Sequence, residues 1–204
     1  MEKLICLISG GIDSPVSAYM MRKKGYEIIF LNISPKKEIK SIEKVKSLIK
    51  IISPNSKLYI VDNQDLMKET IKYSGPNTCL ICKIFMMKLA EKIAQEEKAK
   101  AILTGDNLAQ VASQTMANLI IEERAVRIPI IRPLIGFDKI DIINIAKQIG
   151  TFDISVSFAP PCLYVPKKPS TRAKQKEIIE LERKINLNKF LEKSLLSAEK
   201  IIVS

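Results

Sequence analysis

Leu4-Ile5-Cys6-Leu7-Ile8-Ser9-Gly10-Gly11-Ile12-Asp13-Ser14-Pro15-Val16 passes from an apolar β-type run through a Ser-Gly-Gly turn into the start of a helical pattern. Two adjacent glycines let backbone N–H groups approach an anion without a Cβ in the way. The hydroxyls of Ser9 and Ser14 add donors, and the N-terminus of a helix adds a positive field. A loop made of Ser9, Gly10, Gly11, Ile12, Asp13 and Ser14 therefore suits a pyrophosphate or triphosphate. Asp13 is placed either to hold Mg²⁺ against the phosphates or to complement the helix dipole. Pro15 fits an early helical position, where its missing N–H costs little. The competing reading of Ser-Gly-Gly alone is a tight turn with Asp13 as a cap.

Outward from this loop, five apolar runs alternate with helix-period stretches: Lys3 to Ile8, Glu27 to Ile33, Lys57 to Val61, Ala101 to Thr104 and Ile128 to Arg132. The helical stretches are Ser14 to Lys24, Ile39 to Ile52, Gln64 to Tyr73, Cys82 to Lys98, Leu108 to Ile120 and Lys139 to Ile149. That alternation predicts an α/β fold, a doubly wound parallel five-stranded sheet with helices on both faces. Past Gly150 a Pro-rich segment, 159–169, reads as a loop returning to the site. The charged, amphipathic stretch beyond it reads as a basic helical extension. The expected organisation is a nucleotide domain over 1–171 with a C-terminal extension over 172–204 packed on it.

Composition narrows the class. A chain of 204 residues that is 47% apolar can bury a core without disulfide or metal staples. No run approaches a membrane span, and Leu4 to Ile8 is too short for a signal-peptide core, so no membrane partner and a cytoplasmic location are expected. The net charge of +11 favours a polyanionic partner such as nucleic acid or nucleotide. Arg172, Lys174 and Lys176 are placed either to meet phosphates or to form a solvated helix face.

The loop string matches the Ser-Gly-Gly-X-Asp-Ser signature of the PP-loop ATP pyrophosphatases, and differs from the kinase and dinucleotide glycine loops. Four more stretches carry a narrower likeness: Cys79-Leu80-Ile81-Cys82-Lys83, Thr104-Gly105-Asp106-Asn107-Leu108-Ala109-Gln110-Val111-Ala112-Ser113-Gln114-Thr115, Arg132-Pro133-Leu134-Ile135-Gly136-Phe137-Asp138-Lys139 and Cys162-Leu163-Tyr164-Val165-Pro166-Lys167. In order and spacing they resemble the PP-loop domain of the ThiI family, the tRNA 4-thiouridine sulfurtransferases, from about Leu4 to about Arg172. The resemblance implies ATP-dependent adenylation of uridine in tRNA, release of pyrophosphate, and displacement of AMP by sulfur, with Mg²⁺ as cofactor. Three other readings stay open. One is sulfur transfer in thiamine thiazole synthesis, another a nucleotide-binding subunit of a larger RNA-modification complex. The third is an ammonia-using activity like that of NAD or GMP synthetases, against which the Cys-x-x-Cys and the Gln110 to Thr115 string weigh.

Carried onto this chain, the resemblance assigns the adenylation step to Asp13 and Lys139, Lys139 being a cation near the phosphates. It assigns adenine recognition to main-chain groups at Leu31, Asn32 and Ile33. Thr104 and Gly105 lie at a strand's carboxyl end, the edge where open α/β sheets bind ligands. Asp106, Asn107, Gln110, Gln114 and Arg132 are expected to face ATP or substrate there; helix capping and a solvated polar face are the alternatives for the residues around Asp106.

The cysteines divide. Cys6 lies within the first apolar run and reads as a buried small hydrophobe. Cys79 sits at a helix start, where the dipole favours thiolate, and Cys82 follows one turn on. Cys162 lies on the returning loop and can complete a three-cysteine set. That set suits a 4Fe-4S iron-sulfur cluster, a persulfide on Cys162 resolved by Cys79 or Cys82, or a purely structural role. Full-length relatives carry an RNA-binding THUMP domain ahead of the PP-loop, whereas here Met1 opens almost on the first strand and no rhodanese segment follows. The resemblance therefore implies a stand-alone form whose RNA grip comes from a separate THUMP-containing protein or the basic C-terminal region. Its sulfur would come from a donor protein or free sulfide, and its acceptor is tRNA or a small molecule.

Overall fold

Leu4 and Cys6 face one side of the first strand and Ile5 the other, so the strand is buried on both faces, as a central parallel strand must be. A computed structural model describes residues 1–34, 39–108, 111–158 and 162–204, with Ala112 by its backbone alone. Strand β1 (Lys3–Leu7) leads into α1 (Asp13–Lys23), β2 (Glu27–Ile33), α2 (Ile39–Ile52), β3 (Ser56–Val61) and α3 (Gln64–Tyr73). A 3₁₀ turn (Gly75–Asn77) introduces α4 (Thr78–Glu97), followed by β4 (Ala101–Leu103), a second 3₁₀ turn (Ala112–Gln114), α5 (Met116–Arg124) and β5 (Ile130–Ile131). Then come α6 (Lys139–Gln148), α7 (Phe152–Val156), α8 (Gln175–Ile185), α9 (Leu187–Leu196) and β6 (Glu199–Val203).

The sheet order is β5-β4-β1-β2-β3-β6. All pairings are parallel except β3 with β6, where Leu58 faces Ile201 and Ser56 faces Val203. Six strands therefore stand where the sequence predicts five. Glu199–Val203 lies in a charged, amphipathic tail whose helical pattern masks a short edge strand, and only the exposed edge of β3 gives it a partner.

One face of the sheet carries Ile5, Ile29, Tyr59, Val61 and Ile102 against α4, with α8 and α9 adding Ile178, Ile185, Leu187 and Leu191 to the same core. The other face carries Leu4, Cys6, Phe30, Leu58 and Leu103 against Ala18 and Met21 of α1 and Val45 and Ile49 of α2. A smaller cluster of Val16, Leu134, Ile142 and Ala146 joins α6 to α1. The chain builds β2 and β3 on one side of β1, then returns to build β4 and β5 on the other. The carboxyl ends of β1 and β4 thus frame the switch point at which such sheets bind ligands.

Two helices begin elsewhere than expected. The helix read from Cys82 starts at Thr78, which puts Cys79 in its first turn and Cys82 a turn later. The helix read from Leu108 starts at Met116, capped by the Thr115 hydroxyl accepting from Asn118 N–H. Upstream of it the backbone is pinned toward the loop after β5, with Leu108 N–H donating to Ile135 O at 3.1 Å and Asn107 Nδ2 to Phe137 O at 2.7 Å. Tertiary hydrogen bonds at the sheet edge override the local helical pattern there.

Candidate active site

The loop between β1 and α1 closes on itself through its serines. Ser9 N–H donates to Ser14 Oγ at 2.9 Å, the two hydroxyls lie 3.2 Å apart, and Gly11 N–H reaches Ser9 Oγ at 3.3 Å. Gly105, just past β4, lies flat against this turn. A Cβ there would fall 2.6 Å from Ser14 N and 2.8 Å from Asp13 C, so no larger residue fits without moving backbone. Ser17 Oγ donates to Thr104 O at 2.7 Å and locks the same junction from within α1. Across the sheet edge, Ile8 N–H donates to Leu31 O at 3.0 Å and Asn32 Nδ2 to Ile8 O at 2.9 Å, fixing the end of β2 beside the loop.

These elements enclose a cavity of about 250 Å³. Its lining includes Ser9, Gly11, Asp13, Ser14, Leu31, Asn32, Ile33, Thr104, Gly105, Asp106 and Gln114, so most residues singled out from sequence meet in one place. Gly10 lies beneath the stem of Lys44, and Ile12 packs toward the α1–α6 cluster. Lys139 pairs with Asp13. Asn107 is turned to Phe137, away from the lining, and Gln110 lies outside the described residues. Gln114 sits in the 3₁₀ turn, not on a helix face, and its Nε2 donates to Asp106 Oδ1 at 3.1 Å.

Asp106 and Arg132 belong to a buried ion network. Lys83 Nζ lies 2.8 Å from Asp106 Oδ1 and 3.1 Å from Glu122 Oε1, while Arg132 reaches Asp106 at 3.5 Å, Glu122 at 3.8 Å and Glu123 at 2.6 Å. Burial works against ionised Asp106, but Lys83, Thr104 and Arg132 outweigh it and hold the carboxyl below its usual range. Glu122 is fully buried, and burial pushes its carboxyl up to about 7 despite Lys83. Lys83 and Glu122 were not legible as site residues. The available signal was that Lys83 lies on α4 one turn beyond Cys79.

The cysteines come to the same end of α4. The returning segment is pinned there: Ser170 N–H donates to Pro76 O at 2.9 Å, Thr115 Oγ1 to Thr171 O at 2.7 Å, and Asn118 Nδ2 to Ser170 O at 2.9 Å. Cys162 is exposed and near enough to disfavour negative charge on Cys79 and Cys82. Burial leads in raising both thiols, Cys82 to about 12, so at Cys79 it outweighs the helix start that favours thiolate. Among the described residues no three His, Cys, Asp or Glu side chains are arranged to hold a metal ion. As placed, the three cysteines do not supply the ligand set that an iron-sulfur cluster needs. Cys6 is buried in the core, where burial pushes its thiol far up.

Residues 1–187 match the family described as "Thiamine biosynthesis protein (ThiI)". The chain is 42% identical over 193 residues to a "Probable tRNA sulfurtransferase" of Methanocaldococcus jannaschii, covering 91% of this chain and 50% of that protein. It is 41% identical over 198 residues to one of the same description from a Thermoanaerobacter species, covering 93% and 52%. The chain thus spans about half the length of the curated relatives it matches. Among solved structures, "Crystal structure of a 4-thiouridine synthetase - RNA complex with bound ATP" superposes with a TM-score of 0.95 at 33% identity, over 100% of this chain and 55% of that one. An NMN synthetase from Francisella tularensis, at 15% identity and a TM-score of 0.58 over 93% of this chain and 86% of that one, shares the fold alone. Among the described residues no helix is long and apolar enough to cross a membrane.

Proposed function

The chain belongs to the ThiI family, and from that premise we propose that it activates uridine in tRNA with ATP, releasing pyrophosphate, and then exchanges the activated oxygen for sulfur, releasing AMP. The observation that carries this reading is the single cavity in which the phosphate loop, the Asp13 carboxylate and the carboxyl ends of β1, β2 and β4 converge. The solved relative whose description includes bound ATP and RNA supports it.

In this reading Ser9, Gly11 and Ser14 hold the pyrophosphate half of ATP with backbone and hydroxyl donors fixed before the reaction, so developing charge meets no reorganisation cost. Leu31 to Ile33 take the adenosine end. Asp13 fits a magnesium site: it is a cavity carboxylate at the phosphate loop, and the ion would neutralise phosphate charge there. Lys139 holds Asp13 in place. The acceptor oxygen bonds to the α-phosphorus as the bond to the bridging oxygen breaks, and pyrophosphate leaves with that electron pair. Where the donor is a protein persulfide, its outer sulfur passes to exposed Cys162 as the donor thiolate leaves, and that sulfur bonds to the activated carbon as AMP departs. Cys79 or Cys82 then attacks Cys162 Sγ, freeing the thiolated product and leaving a disulfide that an external thiol reductant reopens. Free sulfide displaces AMP directly, with no cysteine step. Such chemistry belongs to the cytoplasm, and a THUMP-containing protein or region supplies the wider grip on tRNA.

The test is to incubate anaerobically purified protein with ATP, Mg²⁺, sulfide and unmodified tRNA, and to measure AMP and 4-thiouridine by nucleoside mass spectrometry. Both products are expected. AMP formation without thiolated uridine would move the acceptor elsewhere, and no ATP turnover with any acceptor would overturn the assignment.

A further inference from the structure

Lys44, on α2, directs its ammonium at backbone. Its Nζ donates to Ser155 O and to Ser157 O, each at 2.8 Å. Both carbonyls stand at the end of α7, where the last turn of a helix leaves acceptors without partners and a cation is favoured. To reach them the side chain crosses the phosphate loop. A Cβ on Gly10 would fall 3.1 Å from Lys44 Cδ and 3.3 Å from its Cε, so the missing side chain there gives the lysine its path. Ser155, itself buried, adds a second tie through its Oγ, which donates to Gly11 O at 3.4 Å. Burial disfavours the charge of Lys44 and draws its pKa down. A lysine serving solubility alone would carry its head to water instead.

Beyond α7 the chain leads to the exposed thiol. Cys162 follows Ser157 by five residues, so its Cα cannot lie more than roughly 18 Å from that anchor. Past the cysteine the chain is fixed again, by Ser170 N–H on Pro76 O, Asn118 Nδ2 on Ser170 O and Thr115 Oγ1 on Thr171 O. Cys162 is thus strung between two anchors. One, made by Lys44, is at the phosphate loop; the other is at the start of α4, beside Cys79 and Cys82. The shorter tether runs to Lys44.

We propose that Lys44 is a positioning residue for sulfur transfer: by tying the end of α7 across Gly10 to the phosphate loop, it sets where Cys162 meets the activated acceptor and the α4 thiols. The inference rests on the cysteine-borne sulfur route above and adds what places its carrier. Lys44 itself touches no reacting atom. With the tie cut, the end of α7 is free to shift, and Cys162 loses its fixed approach to an acceptor activated at the loop. Adenylation keeps its geometry, because its groups stand on β1, β4, α1 and α6 and a methionine at position 44 still covers Gly10.

The experiment gives wild type, Lys44→Met and Lys44→Arg ATP, Mg²⁺ and unmodified tRNA with either sulfide or glutathione persulfide, through one turnover without added thiol. It reads pyrophosphate release, 4-thiouridine by nucleoside mass spectrometry, the disulfide joining Cys162 to Cys79 or Cys82 by peptide mass spectrometry, and melting temperature. Cys162→Ser measures the thiolation due to sulfide freed from the persulfide. Lys44→Met is expected to slow persulfide-driven thiolation, and formation of the disulfide with it, by roughly 10- to 100-fold. Its pyrophosphate release and sulfide-driven thiolation are expected to match the wild type. Lys44→Arg, which keeps a cation with donors for both carbonyls, is expected to recover most of the rate. If Lys44→Met does not fold, Lys44→Gln, a neutral amide on a shorter stem, is read in its place. Equal persulfide-driven rates in wild type and variant, equal losses from both sulfur sources, or a wild type that thiolates from sulfide alone would overturn the role of Lys44 and leave the adenylation reading standing. A wild type that makes 4-thiouridine from neither source would overturn the tRNA thiolation reading, and this inference with it.

Discussion

Lys139 Nζ donates to Asp13 Oδ1, joining the first residue of α6 to the first residue of α1 across 126 positions of sequence. A cation in the first turn of a helix opposes the macrodipole, so Lys139 is poorly placed for the stability of α6 and well placed for an anion beside Asp13. The pair is 41% and 29% exposed, and such pairs contribute about 0–1 kcal/mol to folding.

Asp13→Ala and Lys139→Met are therefore each expected to lose pyrophosphate release by about two orders of magnitude or more while melting close to the wild type. Stopped assays of pyrophosphate alongside thermal unfolding check this. Turnover near the wild-type rate in either variant would remove that residue from the adenylation step.

Gly105→Ala places a methyl group 2.6 Å from Ser14 N, against backbone with no side chain to swing away. The start of α1 must shift, and with it the serines of the loop. We expect a loss of about 1–3 kcal/mol in stability, with ATP affinity falling more than adenosine affinity. Calorimetric titration with both ligands measures the difference; equal loss for the two would mean that the loop had not moved.

The thiols should react in the order of their exposure and charge. Timed alkylation with iodoacetamide, followed by peptide mass spectrometry, is expected to label exposed Cys162 first and Cys79 later. Cys82, its thiol held up to about 12, and core-buried Cys6 should resist until the protein unfolds. Rapid labelling of Cys82 in the folded protein would contradict its placement.

Glu97, near the end of α4, accepts from Lys57 at 2.6 Å and Tyr59 at 2.6 Å on β3 and from Lys200 at 2.7 Å on β6. Burial opposes its charge, but these donors hold the carboxyl down to about 2. A depressed carboxyl contributes stability that is present above its unfolded value and lost as pH falls through the folded one. Glu97→Gln should cost on the order of 3 kcal/mol at neutral pH, and the gap to the wild type should close as pH falls from about 4.5 toward 2. Denaturant melts across that window test it; a gap independent of pH would show that the ion cluster is not its source.

Much of this protein is written in short-range spacing. Ser9 to Ser14 lie within one strand-to-helix turn, so their chemistry could be read without knowing what surrounds them. The alternation of Leu4, Ile5 and Cys6 between two cores, and the apolar stripe of α2, likewise follow from periods of two and 3.6 residues. These local rules determined the α/β class, the parallel strands and the strand-to-helix turn from Ser9 to Ser14. Tertiary structure alone decided what depends on distant partners. It seated β6 on the free edge of β3, delayed α5 to Met116, brought Cys162 back to α4, and closed Lys83 onto Asp106 and Glu122. A lysine one turn past a cysteine looks like any solvated helix residue until the fold sets it against a buried carboxylate. Sequence periodicity encodes which face a side chain takes, but the field it meets there comes from residues that only the folded chain brings within a few ångströms.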